Sequence, residues 1–156
     1  MATVHDLKKQ VLLQDLDDRD LQKIADKLVD LSFKRGDYIY REGEERRGLY
    51  LINTGSVEVT STALGIEFPL FTRGPGEFFG THAVFGEKKH GTNARALEDL
   101  VAYVLPVEDF ESLEHEDVIV AYFMMKNLAY VMSRTQLAMS RKINELTTMT
   151  FRRFVV

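Results

Sequence analysis

The chain of 156 residues contains no cysteine, so disulfides and thiolate metal sites are excluded. No stretch approaches the roughly 18 consecutive apolar residues of a membrane-spanning helix, and the N-terminus carries no apolar signal region. The expected location is the cytoplasm, with no membrane partner. Charge is scarce in net balance: −4 at neutral pH, which argues against nucleic-acid binding as the main task of these residues. Glycine is missing from both ends. All 10 glycines lie between Gly36 and Gly91. Glycine punctuates β-turns and is disfavoured inside helices, so this placement predicts a helical start, a β-rich middle and a helical end.

What is present fits one globular domain with a real core: 45% of residues are apolar and 28% charged. Between Val4 and Leu31, Leu21, Ile24, Ala25, Leu28 and Leu31 recur at helical spacing, with Asp18 or Asp20 as a candidate cap. From Phe33 the period changes. Phe33–Tyr40 reads as a strand with Gly36 at a turn, Leu49–Ile52 as a buried strand, and Asn53–Gly55 as a tight turn. Ser56–Thr60 alternates as a half-solvated strand should. Ile66–Thr72 is a further strand, and Arg95–Leu105 reads as the last long one. Short strands separated by glycine turns predict an antiparallel sandwich or jelly roll.

Strands stop at Pro106. Val107 begins a helix with acidic residues at its positive end, and a long helix follows from roughly Asp117 to Thr147. One seam of it reads Met125, Ala129, Met132, Gln136, Met139, Ile143, Leu146, in steps of four and three. That spacing suits pairing with a second copy or packing on the chain's own β core.

The stretch Gly74–Leu97 is the candidate functional element. A Gly-Pro-Gly turn leads into Phe78-Phe79-Gly80, then a short apolar turn over Ala83-Val84-Phe85, a polar loop from Gly86 to Gly91, and a strand resuming at Ala94. A glycine before a helical turn frees backbone N–H groups for an anion; the alternative is an ordinary loop.

Several pieces together resemble the cyclic-nucleotide-binding domain, the sensor module of catabolite-activator and FNR-type transcription regulators, over about residues 15–147. They are Phe33-x-x-Gly36-Asp37, Arg41-Glu42-Gly43-Glu44, Leu49-Tyr50-Leu51-Ile52-x-x-Gly55-x-Val57-x-Val59, Gly74-Pro75-Gly76-Glu77-Phe78-Phe79-Gly80 and Arg95-Ala96-Leu97-Glu98-Asp99. The resemblance implies an antiparallel β jelly roll of eight strands plus N-terminal helices and a long C-terminal helix, with an effector held inside the roll. It divides the chain into a sensor domain at 1–115 (helical cap 1–32, β-roll 33–106), a dimerisation helix at 116–150, and the start of a linker or DNA-binding region at 151–156. DNA contact is then expected only through a domain outside this chain.

By the same resemblance, the ligand-binding residues are Phe79, Gly80, Thr81, His82, Ala83, His90, Gly91 and Thr92. The family's phosphate cassette reads Phe-Gly-Glu-x-Ala-Leu and, after a loop, Arg-(Ser/Ala)-Ala. Here Thr81 stands where the glutamate accepts the ribose hydroxyl, and His90 where the arginine pairs with phosphate. Each lost charge-assisted contact costs about 1.5–3 kcal/mol, so tight binding of cAMP or cGMP is not expected. A small anion remains the expected effector, with Lys88 and Lys89 nearby. Two further readings stand beside it: a ligand-free module that works by dimerisation, and a haem or gas sensor using His82 or His90. Otherwise His82 packs into the short helix and His90 sits in a solvated loop. No third clustered histidine accompanies the pair, and the His-x-His spacing of metal-dependent jelly-roll enzymes is missing, so a non-enzymatic module is expected.

Overall fold

Eight strands form two four-stranded antiparallel sheets that build a β-roll, flanked by N-terminal helices and one long C-terminal helix. The structure is a computed structural model and describes residues 1–86 and 88–154. In chain order it runs α1 (Val4–Leu7), a 3-10 turn (Val11–Leu13), α2 (Asp18–Lys27), β1 (Val29–Phe33), β2 (Tyr38–Tyr40), β3 (Gly48–Thr54), β4 (Val57–Ala63) and β5 (Ile66–Arg73). Then come β6 (Phe78–Phe79), a 3-10 turn (Thr81–Ala83), β7 (Asn93–Ala96), β8 (Leu100–Pro106), α3 (Val107–Glu116) and α4 (Val118–Phe154). The sheet orders are β1-β8-β3-β6 and β2-β7-β4-β5. Among the described residues, no helix is long and apolar enough to cross a membrane.

The centre of the first sheet, along β3 and most of β8, is buried on both faces. Leu49 and Leu51 on β3, with Tyr103 and Leu105 on β8, join Leu7, Leu12, Leu21, Ile24, Phe110, Val120, Met124 and Leu128 in a cluster under the helices. The alternate residues Tyr50, Ile52, Leu100, Ala102 and Val104 point the other way, into the interior of the roll. An unbroken apolar run such as Leu49–Ile52 is what two buried faces require. The second sheet has one wet face. Val57 and Val59 are buried while Glu58 turns outward and meets Arg95 Nη2 at 2.9 Å.

Several boundaries differ from the sequence reading. Asp17, not Asp18 or Asp20, caps α2, its carboxylate accepting from the Asp20 N–H at 2.9 Å. The helix ends at Lys27, and Leu31 belongs to β1, where it and Phe33 pack on the roll interior. The roll therefore begins at Val29 rather than Phe33, because tertiary pairing with β8 overrides the helical spacing of Leu28 and Leu31. Phe33–Tyr40 is two strands, divided where Gly36 takes φ +90° and donates its N–H to Ala96 O at 2.8 Å. Arg95–Leu105 is also two strands in different sheets. The chain crosses between them at Leu97–Asp99, where the Asp99 carboxylate accepts from Lys34 Nζ at 2.8 Å and from the Arg35 N–H at 3.1 Å.

Candidate ligand-binding site in the β-roll

Strands β4 and β5, whose register shifts between Val59 and Thr60, together with β2, β6 and the turn after β6, leave a cavity of about 430 Å³ at the mouth of the roll. Its far wall is α4. Tyr40 and Phe79 line its floor, 6.0 Å apart between ring centroids, and Tyr50 backs them, stacked on Phe79 at 4.9 Å and 5.7 Å from Tyr40. Burial pushes the Tyr50 hydroxyl up to about 12 and raises that of Tyr40 further, so both stay neutral and act only as hydrogen-bonding groups.

Gly80 turns the chain from β6 into the 3-10 turn. It sits at φ +81°, and a Cβ there would lie 2.9 Å from a Tyr50 ring carbon and 3.2 Å from Gly48 O. Both the left-handed backbone and the close approach call for glycine. The helical turn is earlier than its apolar residues suggest: it covers Thr81–Ala83, closed by Ala83 N–H to Gly80 O at 3.0 Å, while Phe85 is 46% exposed. Arg46 fixes its end, donating to Ala83 O at 2.8 Å and approaching Glu111 of α3 at 3.5 Å.

The two histidines are placed opposite to the loop-based expectation. His82 is exposed on the 3-10 turn. His90 is buried, with 4% of its surface accessible, because the loop before β7 pairs with the loop before β3. Gly43 N–H donates to His90 O at 2.8 Å, and His90 N–H donates to Glu44 O at 2.8 Å. The His90 ring stacks on Tyr40 at 3.6 Å with 4° between planes. Its Nε2 has no hydrogen-bond partner among the described residues. Burial holds its pKa below the usual imidazole value; the Glu44 carboxylate opposes this and His82 adds to it.

Of the residues expected to bind a ligand, Phe79, Gly80, Thr81, His82, His90 and Thr92 line the cavity. Ala83 is buried behind the turn and Gly91 is exposed, its position 3.8 Å from His82 Nδ1 if extended by a Cβ; neither is among the lining residues. Lys88 and Lys89 are exposed and do not line it either. From the helix, Met132, Gln136, Met139 and Ile143 line the same cavity, whereas Met125 packs on the cap and Leu146 is 56% exposed. No group of three or more His, Cys, Asp or Glu among the described residues is placed to hold a metal ion.

Sequence reasoning missed Arg73, among the described residues the one lining residue with a fixed charge. Its Nη2 donates to Thr135 Oγ1 of α4 at 2.7 Å, its Nη1 lies 3.8 Å from Glu77, and its guanidinium sits 4.4 Å from the Phe71 ring centroid. Burial lowers its pKa and Glu77 opposes that shift. A charged residue closing a strand looks like surface in the sequence, and only the position of α4 makes it an interior tie.

A β-roll of two four-stranded sheets with N-terminal helices and a long C-terminal helix is the fold of the catabolite activator protein. Residues 30–117 match the family model of the cyclic nucleotide-binding domain, and the chain belongs to that family. It is 35% identical over 107 residues to human cGMP-dependent protein kinase 2, an alignment covering 67% of this chain and 14% of the kinase. Among solved structures it is similar to the catabolite activator protein of Thermus thermophilus, with a TM-score of 0.74, 25% identity, and 88% of this chain and 63% of that one covered. It also superposes on the c-di-GMP responsive global regulator CLP of Xanthomonas campestris at a TM-score of 0.77, with 19% identity and coverage of 84% and 65%. The chain thus spans only part of the length of each of these relatives.

Proposed function

We propose that these residues form the effector-sensing and dimerisation module of a catabolite-activator/FNR-type regulator, a cytoplasmic binding module and not an enzyme. The effector is a small anion or a cyclic nucleotide held in the roll. The observation that carries this reading is the shared wall: Met132, Gln136, Met139 and Ile143 belong to the seam spaced for pairing two copies, and they also line the cavity. A ligand that fills the cavity would touch the residues a second copy uses, which is how occupancy can be read out as helix position. No DNA contact is assigned to the described residues.

Thr81 and His90 occupy the positions where the family's cassette has its glutamate and arginine, and both line the cavity. With two charge-assisted contacts replaced, cAMP is expected to bind more weakly than about 10 μM at neutral pH. Calorimetric titration with cAMP, cGMP and simple anions measures this. Thr81→Glu combined with His90→Arg is expected to tighten cAMP. A sub-micromolar constant for the unmodified chain would show that the remaining backbone and aromatic contacts suffice. A second reading, an empty roll that serves only pairing, is favoured by the apolar seam itself; it is the outcome if no ligand of these classes binds.

A further inference from the structure

The cavity has an unmatched end. Among the described residues, its only fixed charge is Arg73, which is already engaged by Thr135, Glu77 and the Phe71 ring. Also on its wall, the loop before β7 offers His90, held by two backbone hydrogen bonds and a flat stack on Tyr40, with Nε2 unpartnered among the described residues. A buried polar atom without a partner is a standing cost of folding, and it is relieved when a ligand supplies the partner.

We propose that the cavity binds its effector together with a proton: the ligand is a small acid whose acidic oxygen accepts a hydrogen bond from His90 Nε2 in an imidazolium that forms only when the anion arrives. This rests on reading the cavity as the effector site. The geometry makes His90 a conditional cation where an arginine would be a permanent one. In the free protein, burial keeps the imidazole neutral. The groups around it do not change that balance. Tyr40 on β2 is a neutral phenol, and Tyr50 behind it on β3 is likewise neutral. The Glu44 carboxylate favours the charged imidazole but also accepts the Arg41 N–H at 3.0 Å. His82 on the 3-10 turn disfavours it. Lys88 and Lys89 in the same loop are exposed, and Arg73 on β5 is committed to α4. A bound anion adds the missing attraction and raises the imidazole pKa, so one proton is taken up with it.

The sign follows from linkage. Affinity for the anion should rise as pH falls from about 8 to about 6, by up to about tenfold per pH unit, with uptake of up to one proton per site. The probes are cAMP, cGMP and inorganic phosphate, titrated calorimetrically at several pH values in two buffers of different ionisation enthalpy, which counts the protons. Imidazole nitrogen NMR on the same protein should show His90 neutral at pH 7 when free and protonated when saturated with cAMP. His90→Gln should abolish the uptake, and His82→Gln should leave it. If His90→Gln does not fold, the proton count and the imidazole spectrum of the unmodified chain still decide. Binding of a probe with no proton uptake, or a His90 already charged at pH 7 in the free protein, overturns the proposal while leaving the effector site standing. Failure of all three probes to bind between pH 6 and 8 removes the effector site and this proposal with it.

Discussion

The two halves of α4 have the same kind of sequence and different surroundings. From Val118 to Val131 the helix is part of the folded core: Val120, Ala121, Met124 and Leu128 are buried, and Asn127 donates to Leu12 O at 3.1 Å and Gln14 O at 2.9 Å. From Met132 to Arg152 none of the residues is buried; Leu137 is 53% exposed and Ile143 61%. Among the described residues, the far half is tied to the roll by one side-chain hydrogen bond, from Arg73 to Thr135, and by the apolar residues over the cavity. Apolar periodicity continues through both halves, so periodicity alone does not say what a helix covers. The first half answers to the cap of this chain. The second, on the proposed function, is left for a ligand and a second copy.

The largest effect should come from cutting into the first half. Leu128 is 1% exposed within the helical cluster, so Leu128→Ala should cost about 2–5 kcal/mol in urea unfolding. Leu137→Ala in the far half should stay within about 0.5 kcal/mol. Equal losses would mean that the far half is packed as tightly as the first and that the contrast does not hold in solution.

Association should show the reverse pattern. The seam residues Met132 and Met139 face the cavity mouth and are not buried in the single chain. Met132→Lys with Met139→Lys should convert a two-fold dimer into monomer in sedimentation, with little change in the unfolding free energy of the single chain. A parent that already sediments as monomer breaks the idea, and so does a double variant that sediments like a dimeric parent.

How much of this was legible depends on how local its cause is. The alternation of Val57, Glu58 and Val59 was readable because β4 has one wet face, and the run Leu49–Ile52 because β3 has none. The break between β7 and β8 was not. Leu97-Glu98-Asp99 contains neither glycine nor proline, and the crossover is held by Lys34 and Arg35 from a distant turn. The start of β1 at Val29 was hidden in the same way, by pairing with Val104 far along the sequence. In the site, the glycine turn could be found from the residues themselves, and the cavity-lining Phe79–His82 from the resemblance to the family's cassette. The burial of His90 could not, since it comes from Tyr40 and from the backbone of Gly43 and Glu44. Nor could the role of Arg73, which exists only because Thr135 of α4 lies above it.

That last tie gives a small effect and the sharpest comparison. Thr135 Oγ1 accepts from Arg73 and donates to Val131 O at 3.0 Å, so it anchors the far half at the point where burial ends. Thr135→Val keeps the side-chain shape and removes the acceptor. Arg73 would keep only the longer approach to Glu77 and its place over Phe71. The net loss should be about 1 kcal/mol, the usual worth of one such hydrogen bond after exchange with water. Its distribution is more informative than its size. Made together with Met132→Lys and Met139→Lys, so that association does not mask it, the change should speed amide exchange after Met132 and leave residues 120–128 protected, because Leu128 and Asn127 still hold the first half to the cap. If exchange rises equally along all of α4, the helix moves as one rod and Arg73 anchors the whole of it. If exchange does not change at all, the far half is held by the apolar contacts over the cavity, and the hydrogen bond is a consequence of where the helix already lies.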